Sequence, residues 1–262
     1  MNRTRPSGPA VPASIERMVR CRRIADAYDD EFADNALLRY DHQLLSRWFE
    51  PPGRLLDLGC GTGRSLVEFG RRGFEVSGLD LSPRMLEIAR AKCRAAGLGE
   101  VQLVEGSIAD LPLDRLDPPY DYAICLFATL GYVQGHRNRL RAVRQAGSIL
   151  TPGGQYVFHC QNLLHNLPTA HLPWIATGLG RWLVGRGDVG DQLFWWYRGL
   201  RWVHMHAFRP GEIARLVSDA GLELVELHHL NADCSGPLEA RLLRAWRSNG
   251  FIVRCRKPEG RS

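Results

Sequence analysis

The segment Leu55-Leu56-Asp57-Leu58-Gly59-Cys60-Gly61-Thr62-Gly63 constrains this chain more than any other stretch. An apolar run carrying one acid reads as a buried strand, and the glycines after it read as a tight turn opening a helix. Gly59, Gly61 and Gly63 let the backbone bend sharply and let a ligand lie directly against main-chain N–H groups, where a Cβ would collide with it. The spacing disfavours a dinucleotide: counting from Gly59 and Gly61, Arg64 stands where the third glycine of Gly-x-Gly-x-x-Gly belongs, and Gly63 comes one residue early. A second strand, Phe74-Glu75-Val76-Ser77-Gly78-Leu79-Asp80, ends in an acid about twenty residues beyond the turn, where a carboxylate accepts both hydroxyls of a ribose.

Apolar period and breakers order the rest. Helices are expected over 13–27 and 35–49, with Asp41, His42, Gln43, Ser46 and Arg47 on the polar face of the second, both covering the open edge of a ligand cleft. Strands near 54–58, 74–79, 101–105, 121–126 and 154–160 alternate with helices near 62–71, 82–95 and 136–149, the order of a doubly wound parallel sheet. Ser82-Pro83 supplies an N-cap and a first-turn proline to the second of these helices. From Gln161 to Phe208 the alternation stops, and five of the seven tryptophans collect there with a plausible hairpin, Gln192–Tyr197 and Leu200–His206. A helix to about Ala220, a strand at 222–227, an amphipathic helix at 237–247 and a strand at 251–255 close the chain. The 262 residues suit one α/β domain with insertions: a disordered arm over 1–12, a domain over 13–262 with a helical cover at 13–50, and a substrate lid at 161–208.

Three blocks in order, Asp57–Gly63, Gly78–Leu86 and Val104–Pro112, resemble the first three motifs of class I S-adenosylmethionine-dependent methyltransferases. Tyr120–Leu126 resembles that family's fourth strand, and Leu150–Gly154 its turn into the fifth. The resemblance implies a Rossmann-like, seven-stranded sheet, mostly parallel with an antiparallel last strand, and S-adenosylmethionine as cofactor. It further implies that the turn (Asp57, Gly59, Cys60, Gly61, Gly63) holds the methionine part, with Cys60 packing beneath it, and that Asp80 takes the ribose hydroxyls. Leu81 and Met85 would pack on the adenine, with Ile108 offering its N–H to the ring and Leu126 at the end of the fourth strand. Ser107 stands where the family often has an acid toward the adenine amino group, so that bond would be neutral. Tyr28 resembles a tyrosine that relatives fold over the methionine carboxylate; it also reads as a helix-packing residue.

Methyl transfer is an in-line displacement in which a cationic sulfur becomes neutral, so positioning and desolvation matter most and a general base is optional. Phe127 and Thr129 would sit beside the reactive methyl group, Thr129 either bonding substrate or capping a turn. His204 and His206, two apart on a strand, point to one face; a general base toward substrate is the functional reading, and packed or solvent-facing histidines the plainer one. A metal site with His159 or His165 lacks supporting carboxylate or cysteine spacing, and none is expected.

The acceptor is expected to be a small molecule, aromatic or anionic, methylated on oxygen or nitrogen. The segment 187–191 and Met205–Ile213 also resemble methyltransferases that esterify wobble-uridine side chains of tRNA, so RNA is the alternative. A third reading is a non-catalytic cofactor- or partner-binding module. The net charge of +6 comes mostly from arginine, which suits anionic partners and equally suits exposed helix faces. Seven cysteines without a Cys-x-x-Cys pair fit reduced thiols in a cytoplasm. The longest apolar region, 172–184, is interrupted and too short to span a membrane.

Overall fold

The computed structural model of the protein describes residues 11–165, 188–197, 200–240 and 242–260, together with 180 and 183. Seven strands form the main sheet: β1 (Arg54–Leu58), β2 (Glu75–Asp80), β3 (Gln102–Glu105), β4 (Tyr120–Cys125), β5 (Leu150–Gln161), β8 (Glu223–His229) and β9 (Gly250–Arg256). Their order is β3-β2-β1-β4-β5-β9-β8. The first five are parallel, and β9 runs antiparallel to both β5 and β8. This is the doubly wound α/β architecture that the sequence predicts. The chain winds outward from β1 in both directions, which leaves a crevice beyond the carboxyl ends of β1 and β4.

Both faces of the sheet are covered, so its strands are apolar on successive residues rather than alternate ones. Leu56, Leu58, Ala123, Phe158 and Val253 pack on one face with Val143 of α7 (His136–Ser148) and Leu216 of α8 (Pro210–Asp219). Leu55, Ile124, Val157 and Ile252 pack on the other with Leu44 of α4 (Ala36–Trp48), Phe69 of α5 (Arg64–Gly70) and Leu86 of α6 (Pro83–Ala95). Ser82 caps α6 through its side chain, as its sequence position implies.

The helix expected over 13–27 is two short pieces, α1 (Ala13–Arg20) and α2 (Arg22–Asp26), broken at Cys21, whose backbone is extended, and a further short helix, α3 (Tyr28–Phe32), follows. Asp41, expected on a polar face, is buried, and both its oxygens accept from the Arg64 guanidinium at 3.1 Å. That ties α4 to the first residue of the helix behind the glycine turn. The helix expected at 237–247 reduces to one turn, α9 (Arg244–Arg247). Residues 237 and 238 are drawn instead to the end of β8, where Leu230 bridges Pro237 and the Leu238 N–H donates to His229 at 2.8 Å.

The insertion after β5 leaves and returns at one point, since Phe208 and Gln161 or Leu163 exchange backbone hydrogen bonds of 2.8 and 2.9 Å. Within it, β6 (Asp191–Tyr197) and β7 (Leu200–His206) form the expected hairpin as a separate two-stranded sheet. Trp174 and Trp182, and the side chains of Trp195, Trp196 and Trp202, lie outside the described residues, and with them the aromatic platform.

Candidate active site at the carboxyl ends of the strands

The glycine turn is held by its own hydrogen bonds. Gly59 and Cys60 donate to the Leu79 carbonyl at 2.7 and 3.0 Å, Gly63 donates to Cys60, and Gly61 donates to Asp80 Oδ2 at 2.9 Å. The expectation that these N–H groups wait for a ligand is therefore corrected: the fold already uses them. What the turn presents is backbone without Cβ. A Cβ on Gly59 would come within 2.6 Å of the Thr129 side chain, whereas one on Gly61, at φ +53°, would meet nothing within 4 Å. Gly61 thus opens directly onto a cavity.

That cavity has an open space of about 1200 Å³ including its mouth and is lined by Gly59, Gly61, Asp80, Leu81, Met85, Ser107, Ile108 and Thr129. Asp80 ends β2 at its centre, accepting from Gly61 through one oxygen and from Ser82 at 2.8 Å through the other. Each oxygen keeps a lone pair, which suits a vicinal diol. Burial raises the Asp80 proton affinity, opposed by the Ser82 and Gly61 N–H donors. Ser107 Oγ accepts from the Ala109 N–H at 3.2 Å. Ile15, Met18 and Val19 of α1 and Ile24 of α2 roof the cavity. The roof is fastened by Ser82 Oγ to the Val19 carbonyl (3.0 Å), Arg84 to Asp26 (2.7 Å), and Thr62 and Lys92 to Asp29 (2.7 and 2.9 Å).

Across the turn lies a second chamber, lined by Asp57, Cys60, Gly61, Arg64 and Leu126, with Tyr28 and Phe127 shared by both. Burial pushes the Asp57 carboxyl up to about 7, against the pull of the Arg64 charge. Tyr28 packs on Phe32 at 4.9 Å and on Phe127 at 6.5 Å. Phe127 and Ala128 follow β4 with φ of 52° and 60°, a left-handed pair that costs energy and aims Phe127 into the crevice. Thr129 Oγ donates to the Leu126 carbonyl at 2.8 Å, so its hydroxyl closes this turn and offers only a lone pair outward. Gly63 lines neither chamber; a Cβ there would strike Ala89 of α6 at 2.9 Å.

A third chamber opens beyond Phe127 and Tyr132, with walls of Leu37, His159, Gln161, Met205, Asp233, Cys234 and Asn249. His204 and His206 share one hairpin face, as their spacing predicts, but that face turns away from all three chambers. His206 is buried with Nδ1 at 2.7 Å from Asp191 and Nε2 at 2.7 Å from Glu212. His204 Nε2 stands 3.8 Å from Asp191. Arg139, fully buried, pairs with Asp188 and, at 3.5 Å, with Asp191. Ligand-type atoms of Asp188, Asp191 and His206 lie within 4.8 Å of one another, and the Arg139 guanidinium supplies the positive charge among them. Burial pulls Asp191 up, but hydrogen bonds from His206 and the Asp188 N–H hold it down at about 2. The sequence reading missed Tyr132, Met205 and the chamber role of His159, because no local pattern marks which strand face meets a cavity.

Residues 55–154 match a family described as a methyltransferase domain. Demethylmenaquinone methyltransferase of Bacillus cytotoxicus is 28% identical over 68% of this chain and 73% of its own. Magnesium-protoporphyrin O-methyltransferase of Rhodobacter capsulatus is 34% identical, but the match spans 30% of this chain and only 34% of that one. A solved S-adenosylmethionine-dependent methyltransferase of Methanosarcina mazei superposes with a TM-score of 0.64 at 21% identity, covering 82% of this chain and 97% of that one, a likeness of fold. The Cβ-free cradle at Gly61 and the half-satisfied Asp80 carboxylate suit an adenosyl sulfonium, and the matched domain contains both. Over residues 55–154 the chain carries a class I S-adenosylmethionine-dependent methyltransferase domain, and S-adenosylmethionine is its cofactor.

Proposed function

We propose that the chain methylates an oxygen or nitrogen of a small, apolar, planar acceptor seated in the chamber beyond Phe127. The observation that carries this reading is that this chamber adjoins the cofactor cavity: Phe127 and Tyr132 line both. When bound, S-adenosylmethionine supplies an electrophilic methyl group on a cationic sulfur. Around it, Asp80 accepts the ribose hydroxyls, and Leu81, Met85, Ser107 and Ile108 enclose the base. Asp57, Cys60, Leu126 and Tyr28 line the chamber that takes the amino-acid end. Phe127 excludes water where the chambers meet, and the Thr129 oxygen keeps a lone pair toward the transferred group. Relatives named for demethylmenaquinone and magnesium-protoporphyrin methylation support a small-molecule acceptor. Arg139 is fully buried among acids, and Arg64 holds the buried Asp41, so these two arginines serve the fold rather than a partner.

Calorimetric titration with S-adenosylmethionine and S-adenosylhomocysteine is the first test, followed by methyl transfer to bulk tRNA and to small aromatic acceptors. Micromolar binding of both ligands with transfer only to small acceptors is expected. Salt-sensitive binding and methylation of tRNA would instead establish the RNA reading. Failure to bind either ligand would favour a partner-binding module.

A further inference from the structure

His159 is the last residue but two of β5, and the β4–β5 register, with Cys125 opposite Phe158, sets it level with Leu126 at the sheet's carboxyl edge. Its side chain is 5% exposed and lines the third chamber with Phe127, Tyr132 and Met205. Nδ1 is buried and has no hydrogen-bond partner among the described residues. By contrast, His206 bonds two carboxylates and His228 bonds Tyr40 and Glu226, while His229, whose Nδ1 is also unpaired, is absent from the walls of the three chambers. A buried polar atom left unpaired is costly.

Burial alone sets the proton affinity of His159, lowering it to about 4, so the ring is neutral at neutral pH with one N–H and one lone pair. Among the described residues, the other ionisable groups facing the chamber are Tyr132, Asp233 and Cys234. Burial holds Cys234 up at about 11, as a thiol, and Ser235 donors hold the Asp233 carboxylate down. His159 therefore presents a neutral imidazole at pH 7, and burial makes it a weak base that takes a proton only as bond formation to the methyl carbon renders the acceptor hydroxyl strongly acidic. The surrounding aromatic and thioether surfaces suit a flat ring.

We propose that His159 binds the acceptor and takes its proton, and that the acceptor is a phenol-type hydroxyl compound whose oxygen is methylated. The inference rests on the function proposed above. The acceptor oxygen forms a bond to the methyl carbon as the carbon–sulfur bond breaks and its electron pair returns to sulfur. The O–H pair stays on oxygen, and its proton passes to the imidazole. One positive charge moves from sulfur to His159, and leaves as a proton to solvent when product departs.

The test measures methyl transfer to phenol and to 4-nitrophenol by wild-type enzyme and His159→Gln across pH 6–9, with S-adenosylhomocysteine affinity alongside. Phenol needs a base in this range, whereas 4-nitrophenol is largely ionised at its upper end. The variant is expected to lose about 100-fold on phenol at pH 7, the usual worth of a positioned base. Its phenol rate should then rise with pH, and the loss on 4-nitrophenol at pH 9 should stay within about fivefold, with S-adenosylhomocysteine bound as before. An unchanged rate on phenol overturns the proposal, and so does an equal loss on both acceptors, which would mean that His159 only shapes the chamber. Wild-type enzyme that binds S-adenosylhomocysteine but methylates amines and not phenols overturns the hydroxyl class alone. Wild-type enzyme that binds no S-adenosylhomocysteine overturns the functional reading itself. If His159→Gln does not fold, His159→Asn enters the same comparison.

Discussion

Replacing Arg139 with methionine isolates what holds the β6–β7 hairpin to the scaffold. Arg139 has no exposed surface, donates to the Val133 carbonyl at 3.1 Å, and pairs with Asp188 and Asp191 while standing 4.0 Å from Glu212. Methionine preserves most of the volume but leaves three carboxylates around His206 without the guanidinium. Breaking one side of a buried ion pair costs about 3–5 kcal/mol, because the remaining charge is stranded. Asp188 is 36% exposed, so water screens its share, and the loss should fall nearer the lower figure. At the ~2–4 °C per kcal/mol expected of a domain this size, the melting temperature should drop by about 6–12 °C. Urea unfolding followed by circular dichroism gives the free energy directly. Acceptor binding should suffer as well, since the hairpin carries Met205 into the third chamber, while S-adenosylhomocysteine affinity stays within about threefold. The triple variant Arg139→Met, Asp191→Asn, Glu212→Gln should recover more than half of the loss, because only the part-exposed Asp188 carboxylate then keeps its charge. Stability of Arg139→Met within about 1 kcal/mol of wild type, or no recovery in the triple variant, would refute this account.

Asp80→Asn should weaken S-adenosylhomocysteine binding at least tenfold by calorimetry, because the amide nitrogen only donates and would face the Gly61 or the Ser82 N–H in place of an accepting oxygen. Gly61→Val should abolish binding outright, since its side chain enters the cavity at a φ of +53°, and measurable affinity would remove that cavity from the cofactor site. His159 links stability to pH. Its folded value near 4 lies below the unfolded 6.5, so the unfolded chain binds the extra proton between them. The stabilisation is complete above about pH 6.5 and is lost as pH falls toward 4, by about 3 kcal/mol in all. Asp57, raised to about 7, acts with the opposite sign, so the measurement is the difference between wild type and His159→Phe across pH 4–7, in which Asp57 cancels. A pH-independent difference would show His159 to be normally hydrated.

Strand, turn and helix order could be read from the sequence because each is a local matter. The apolar run 55–58, the glycines that follow it and the Ser82-Pro83 cap depend on neighbours within a few residues, and the order of such units determines a doubly wound sheet. The residues of the first cavity followed for the same reason: Asp80, Leu81, Met85, Ser107 and Ile108 stand at the ends of strands 2 and 3, and such ends converge on one crevice. Asp41 was misread because amphipathic period registers a charge as exposed, and only Arg64, 23 residues away, makes its burial tolerable.

Sequence alone therefore determined the sheet, the glycine turn, the family and the cofactor. Tertiary structure decided that the turn's N–H groups are already bonded, and that His159 rather than His204 or His206 faces a chamber. Period two places His204 and His206 on one side of a strand without saying which side meets the crevice. That choice belongs to the docking of the hairpin, set by an ion pair between Arg139 and Asp191, 52 residues apart in sequence, and contacts at that distance leave no local pattern to read.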